Sequence, residues 1–204
     1  MRPAGARPAR GGRRARAPPA EHRLRREAPA RLAQHRPRPA SRLRLDIRRP
    51  LPFPEGSCAE IYSEHVLEHL AYPGEVEQVL RDWWRVLAPG GTLSVGVPDT
   101  VYPLASYVNQ VEDYFAWCRT QPWNPRWIET RLDQINFHFR QQGLGFGQDH
   151  LYAYDVDTLA ARLTAAGFVD IAQRPYDPAR DSRAYTLYVD TRKPGHPGGV
   201  RQTE

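Results

Sequence analysis

Ile61-Tyr62-Ser63-Glu64-His65-Val66-Leu67-Glu68-His69-Leu70 reads as the passage from a short strand into a helix, and the residues on either side of it decide the fold. Ala59–Ser63 is the strand candidate. Downstream, Glu75–Leu87 carries Val76, Val79, Leu80, Trp83 and Leu87 at helical spacing, with Glu77 and Arg81 paired at i,i+4 on the opposite face. Pro89-Gly90-Gly91 is a stop signal for that helix. In Thr92–Val97, Leu93, Val95 and Val97 alternate with the small residues Thr92, Ser94 and Gly96, a pattern suited to a strand covered on both faces. Upstream, Leu43-Arg44-Leu45-Asp46 is a short apolar run ending on an acid. It leads into the loop Arg48-Arg49-Pro50-Leu51-Pro52-Phe53-Pro54-Glu55-Gly56-Ser57.

Further on, residues 103–141 hold Tyr107, Tyr114, Phe115, Trp117, Trp123, Trp127, Phe137 and Phe139. That aromatic density predicts an insertion of helices and loops, which either fills a small core or covers a substrate pocket. Asp155 is a good N-cap for a helix bearing Val156, Leu159, Ala160 and Leu163, and Gly167 stands where such a helix ends. Phe168–Ala172 and Ala184–Asp190 read as two more strands. The order strand, helix, strand, insertion, helix, strand, strand predicts an α/β layered fold. Residues 45–192 make one domain of ordinary size, and 193–204 read as a loose terminus.

The formal net charge of +6 is unevenly divided. Residues 1–44 hold 14 Arg against two acids, Glu21 and Glu27, a net of +12, while the rest holds 15 basic and 21 acidic side chains, a net of −6. Arg, Ala and Pro make up 31 of those first 44 residues, too little aliphatic surface to offset ordering entropy, so disorder is expected there. No aromatic residue interleaves the arginines to stack on bases, which argues against nucleic acid. GC-rich codons give the same monotony when read outside their frame or upstream of the true start, and a frame or start artefact is the favoured reading. No apolar h-region follows Arg13-Arg14, and no run of about 18 apolar residues suggests a membrane span. Cys58 and Cys118 lie far apart without metal-like spacing, so reduced thiols in a cytoplasm are expected.

Together, the segments from Asp46 to Asp99 resemble the second half of the cofactor domain of class I S-adenosylmethionine-dependent methyltransferases, of the methyltransferase type 11 kind. His150-Leu151-Tyr152-Ala153-Tyr154-Asp155, the helix to Gly167-Phe168 and Leu187-Tyr188-Val189 extend the resemblance over the rest of the domain. It implies a Rossmann-like α/β fold, N-terminally incomplete, and S-adenosylmethionine as cofactor. It implies that Asp46 meets the adenine amino group with Ile47 beside the ring, and that Ser63 and Glu64 run along the methionine arm. His65 then opens the next helix on the substrate side. The family's glycine-rich turn has no counterpart here: Gly11-Gly12 sits among arginines with no strand before it, and the Arg/Pro/Ala segment stands in its place.

Methyl transfer needs positioning and, for many acceptors, a base. His65, Glu68, His69, Asp99 and His150 are candidates, and His65 is the first choice. A small-molecule or glycan-type acceptor is expected. A rival is the literal His-x-x-Glu-His of His65-Val66-Leu67-Glu68-His69, a zinc pattern of one metallopeptidase class. Its first His follows a strand directly and no acid-rich helix follows to supply a third ligand, so no metal is assigned. The remaining alternative is a non-catalytic remnant or partner-binding subunit, set apart by the missing glycine-rich turn. The sequence leaves the oligomeric state open.

Overall fold

A computed structural model describes residues 45–139 and 149–195, all within one unit spanning 44–204. The disorder expected for 1–44, the end of the insertion beyond Phe139 and most of the loose terminus fall outside the described residues. The described elements are β1 (Cys58–Glu64), a single 3-10 turn (Leu67–His69), α1 (Gly74–Val86), β2 (Leu87–Pro98), α2 (Val101–Val108), α3 (Asp113–Arg119) and α4 (Arg131–Phe139). They continue with α5 (Val156–Ala165), β3 (Val169–Arg174) and β4 (Thr186–Arg192). The sheet order is β1-β2-β4-β3. β1 and β2 run parallel, and β4 is antiparallel to both β2 and β3. A parallel pair joined through α1 is the Rossmann-like unit, so the expected α/β class holds.

One face of this sheet carries the core. Leu93, Val95 and Val97 of β2 and Leu187 and Val189 of β4 pack with Val76, Val79, Leu80 and Trp83 of α1 and Leu159 and Leu163 of α5. Each such side chain gains about 1.5–3 kcal/mol on burial, so this layer sets the register. At the start of α5 the Asp155 carboxylate accepts the Thr158 N–H at 2.8 Å, as its N-cap role predicts. At the other end Gly167 takes φ +92, and Phe168 N donates to Leu163 O at 3.1 Å, closing the last turn.

The boundaries differ from the sequence reading in two places. α1 ends at Val86, because Leu87 is already extended (φ −67, ψ 135) and fully buried in the core. Pro89-Gly90-Gly91 therefore lies in the first part of β2 and does not itself stop the helix. β4 begins two residues later than expected, because Tyr185 takes φ +58 and so turns the chain just before it, and β3 begins one residue later than expected.

The opposite face of the sheet is polar. Ser94 Oγ donates to Asp190 Oδ1 at 2.6 Å, and Gly96 leaves room for the Tyr188 ring, which a Cβ there would meet at 2.7 Å. This explains the small residues that alternate along β2. Arg174 grips Asp181 through Nη1 at 2.6 Å and Nη2 at 2.7 Å, and reaches Asp190 through Nε at 3.0 Å. Glu64 accepts from the Tyr188 and Tyr62 hydroxyls and from the Ser182 N–H and hydroxyl.

Burial pushes both carboxyls up, but these donors outweigh it. The bonds from Tyr188, Ser182 and Tyr62 hold Glu64 below its ordinary value of 4.5. Those from Arg174, the Asp177 N–H and Tyr62 hold Asp181 below 3.8. Depressed folded values mean that the unfolded chain takes up the protons first as the pH falls. The stabilisation is thus whole at neutral pH and fades from about pH 4.5 downward. The stability advantage of the native protein over Asp181→Asn is expected to narrow steadily as the pH falls below about 4, measured by thermal melts. An advantage that stays constant to pH 2 would contradict it.

Candidate functional site

In open α/β sheets ligands gather at the carboxyl ends of the strands. Here β1 ends when His65 N donates to Gly96 O at 2.9 Å, the last ladder bond, and His65 itself turns left-handed at φ +54. A non-glycine residue there costs about 1–2 kcal/mol, a local strain that clusters at functional sites. The reversal sends the chain into the 3-10 turn, anchored by Leu67 and Glu68, which are 0% and 1% exposed. No α-helix follows His65 directly, so the helical i,i+4 geometry of the His-x-x-Glu-His reading is absent.

Glu68 is the centre of the constellation. His65 Nδ1 lies 3.2 Å from Glu68 Oε1, and His65 Nε2 lies 3.1 Å from Thr186 Oγ1. His69 Nε2 is 3.6 Å from the same Oε1, while His69 Nδ1–H donates to Asp149 O at 3.2 Å. The Glu68 carbonyl accepts from Leu151 N at 2.6 Å and Tyr152 N at 3.2 Å. Those two bonds hang the 149–152 segment on the turn and bring the His150 ring to 5.0 Å from that of His69. Burial pushes His138 down to about 4, helped by His150 and His65, and pushes His150 down as well. Both rings are therefore neutral at physiological pH.

Over this polar floor lies a cavity of about 300 Å³, walled by Tyr114, Trp117, Trp123 and Phe137 from the insertion, by Tyr185 just ahead of β4 and by Thr186, its first residue. The insertion is thus both a small core, built on Tyr114, Phe115, Cys118 and Ile135, and a pocket wall. Sequence reasoning found the aromatics but missed His138, Tyr185 and Thr186, which carry no local pattern. Asp99, a candidate base, spends its Oδ1 on the Val101 and Tyr102 N–H groups at 2.9 and 3.3 Å, shaping the start of α2.

The remaining sequence candidates divide. Ser63, Glu64 and His65 are consecutive at the end of β1, but of the three only His65 lines the cavity. The Ser63 hydroxyl, on a residue 7% exposed, has no hydrogen-bond partner among the described residues. Asp46 and Ile47 lie apart from it, against α1: Gln78 Nε2 donates to Arg48 O at 2.8 Å, and Leu51 N donates to Asp82 Oδ2 at 2.7 Å. The Asp46 carboxylate is exposed and closed on the Arg48 guanidinium at 2.9 and 3.1 Å, which holds its pKa below the usual range.

A family model described as a methyltransferase domain matches residues 22–95. The match starts inside the Arg/Pro/Ala-rich segment and ends within β2. It takes in less than half of the chain, and over that stretch the sequence is similar to a methyltransferase domain. No curated protein matches the chain. Solved structures similar to it include a "possible exported protein" from Bordetella parapertussis at 21% identity, covering 74% of this chain and 43% of that one, with a TM-score of 0.44. Another is an S-adenosylmethionine-dependent methyltransferase, "possible histamine N-methyltransferase", from Thermotoga maritima: 15% identity, 74% and 63% covered, TM-score 0.43. A third, an S-adenosylmethionine-dependent methyltransferase from Methanosarcina mazei, has 14% identity, 74% and 66% covered, and a TM-score of 0.45. The chain thus spans 43% to 66% of the length of these three. Among the described residues no helix is long and apolar enough to cross a membrane.

S-adenosylmethionine, the cofactor that the resemblance implies, would find a fit at one end only. The orphaned Ser63 hydroxyl at the strand end is a buried polar group that a ligand's amino-acid arm would satisfy. At the end that the resemblance gives to adenine, Ile47 would offer an apolar surface, but Asp46 would first have to release Arg48.

Proposed function

We propose that the chain is an S-adenosylmethionine-dependent methyltransferase of the cytoplasm, acting on a small-molecule or glycan-type acceptor held in the aromatic cavity, with His65 as the base. The observation that carries this reading is the His65–Glu68 pair facing that cavity at the carboxyl end of β1. Glu68, as a carboxylate, accepts the His65 Nδ1–H, which fixes the tautomer and leaves Nε2 as the basic atom. Thr186 Oγ1 marks where a hydroxyl donor meets it. Bound S-adenosylmethionine supplies an electrophilic methyl group, so the protein has to orient the acceptor and remove its proton. A cavity of about 300 Å³ suits an acceptor of modest size, and its aromatic walls suit a ring or a sugar face. Two free thiols, Cys58 and Cys118, support a reducing compartment.

The alternative of a non-catalytic remnant or partner-binding subunit is favoured by two features: the Asp46 carboxylate is already engaged by Arg48, and the sequence ahead of it holds no glycine-rich turn of the family's kind. The test is calorimetric titration with S-adenosylmethionine, followed by transfer of a labelled methyl group to a panel of hydroxylated small molecules and saccharides. Binding is expected near 10⁻⁴ M, roughly 10²-fold weaker than a micromolar site, with slow transfer to at least one acceptor. A low-micromolar site would overturn the weak-binding expectation. No binding, together with no transfer to any acceptor, would overturn the methyltransferase reading.

A further inference from the structure

We propose that Glu68, His69 and His150 form a binding site for a divalent first-row transition cation of the zinc type, in the floor of the aromatic cavity. The three offer one carboxylate oxygen and two imidazole nitrogens, all within 4.8 Å of one another. Two histidines and one carboxylate are a donor set that such cations take, with one position left for an outside ligand.

The hydrogen bonds fix the chemistry of each donor. A carbonyl oxygen can only accept, so the His69 Nδ1 facing Asp149 O and the His150 Nδ1 facing His138 O both carry the proton. Neutral rings in that tautomer present Nε2 as a lone pair. Histidines that ligate metals are oriented in this way, each giving its other N–H to a backbone carbonyl or carboxylate.

Glu68 supplies the independent observation. It is 1% exposed, and its Oε2 is buried with no hydrogen-bond partner among the described residues. A buried carboxylate left half-satisfied is costly, and a cation is the group that relieves it. The His69 Nε2 lone pair lies 3.6 Å from Glu68 Oε1. That is long for an N–H···O bond, whose usual limit is about 3.2 Å, so a shared proton serves this pair poorly. Metal bonds of about 2.1 Å at a tetrahedral angle separate two ligand atoms by roughly 3.4 Å, close to what is observed. His65 is outside the set, since its two nitrogens are engaged by Glu68 and Thr186. The site is therefore distinct from the His65/His69 pairing of the His-x-x-Glu-His pattern, and it stands whether or not the chain transfers methyl groups.

The test uses the full chain, stripped with a chelator and dialysed against Zn²⁺ or Co²⁺. Bound metal is measured by elemental analysis, Co²⁺ coordination by visible absorption, and folding by circular dichroism. About one equivalent is expected, with the absorption of a low-coordinate Co²⁺ site. Glu68→Gln, which keeps the shape, and His150→Gln should each weaken binding at least about tenfold, while His65→Gln keeps the stoichiometry. Folded native protein that retains less than about 0.1 equivalent of either metal would overturn the proposal. So would loss of binding in His65→Gln with binding intact in His150→Gln. If Glu68→Gln does not fold, the His150→Gln and His65→Gln pair still decides.

Discussion

His65→Gln is expected to lower the rate of methyl transfer by about 10²–10⁴-fold, the usual contribution of a positioned general base, while leaving cofactor affinity within about twofold. The split follows from the geometry. His65 Nε2 faces Thr186 Oγ1 and the cavity, and its Nδ1 is held by Glu68. The cofactor contacts that the resemblance implies for this region fall on Ser63 and Glu64, not on His65. Glutamine keeps a hydrogen-bonding group of similar reach but cannot take a proton, so the loss should fall on turnover. Raising the pH to ionise the acceptor should recover part of the rate, since an acceptor already deprotonated needs no base. The measurement is the rate of labelled methyl transfer against pH for both proteins. A variant that keeps more than about a third of the native rate at neutral pH would remove His65 from the chemistry and leave it as a structural residue.

Arg174→Met is expected to destabilise the fold by about 3–5 kcal/mol. The Arg174 guanidinium is 16% exposed and the Asp181 side chain is 0% exposed, and the two share a bidentate pair at 2.6 and 2.7 Å. The same guanidinium holds Asp190 and lies over the Tyr188 ring at 4.6 Å. Removing it strands a buried carboxylate with only the Tyr62 hydroxyl and the Asp177 N–H for company. For a domain of this size the melting temperature should fall by roughly 10 °C or more. If the stranded charge is the cause, the double substitution Arg174→Met with Asp181→Leu should recover much of the loss, because no buried charge is then left without its counter-ion and only the Asp177 N–H and an Asp190 contact are given up. A single variant that loses less than about 1 kcal/mol would show that water or a local shift takes over the role of Arg174.

Much of this architecture could be read from the chain because its signals are local. The apolar spacing of Val76, Val79, Leu80 and Trp83 places α1, and the alternation in Thr92–Val97 places the buried core of β2. Asp155 and Gly167 bracket α5. The ends were less legible. Leu87 fits a helical stripe as well as an extended residue, and only its burial beneath the sheet decides between them. At the site, His65, Glu68, His69 and His150 were all among the candidates by residue type. Their grouping depends on two bonds to the Glu68 carbonyl from residues more than 80 positions away, which no spacing rule reveals. Tyr185 and Thr186 fall inside the strand read over Ala184–Asp190, and nothing in its pattern marks that its first residues border the cavity. Asp46 and Ile47 were chosen by resemblance, and the turn they occupy lies against α1, where Arg48 closes on the carboxylate.

The place of β4 in the sheet has a consequence for how the chain acquires its structure. β4 lies between β2 and β3, so β3 has no partner among the described strands until β4 arrives. The rungs it forms with β2 join Thr92 to Arg192 and Val95 to Val189, about a hundred residues apart along the chain. Closing loops of that length is entropically slow, and contacts so distant are made late. On a ribosome, β1, α1 and β2 can pair early, but the face with Ser94 and Gly96 must wait until Asp190 and Tyr188 emerge. The polar network around Arg174 and the Thr186 wall of the cavity are completed in that same final step. Assembly of the site is thus a late event of folding, and a ribosome stalled before residue 186 would hold a chain with a formed parallel pair and no pocket.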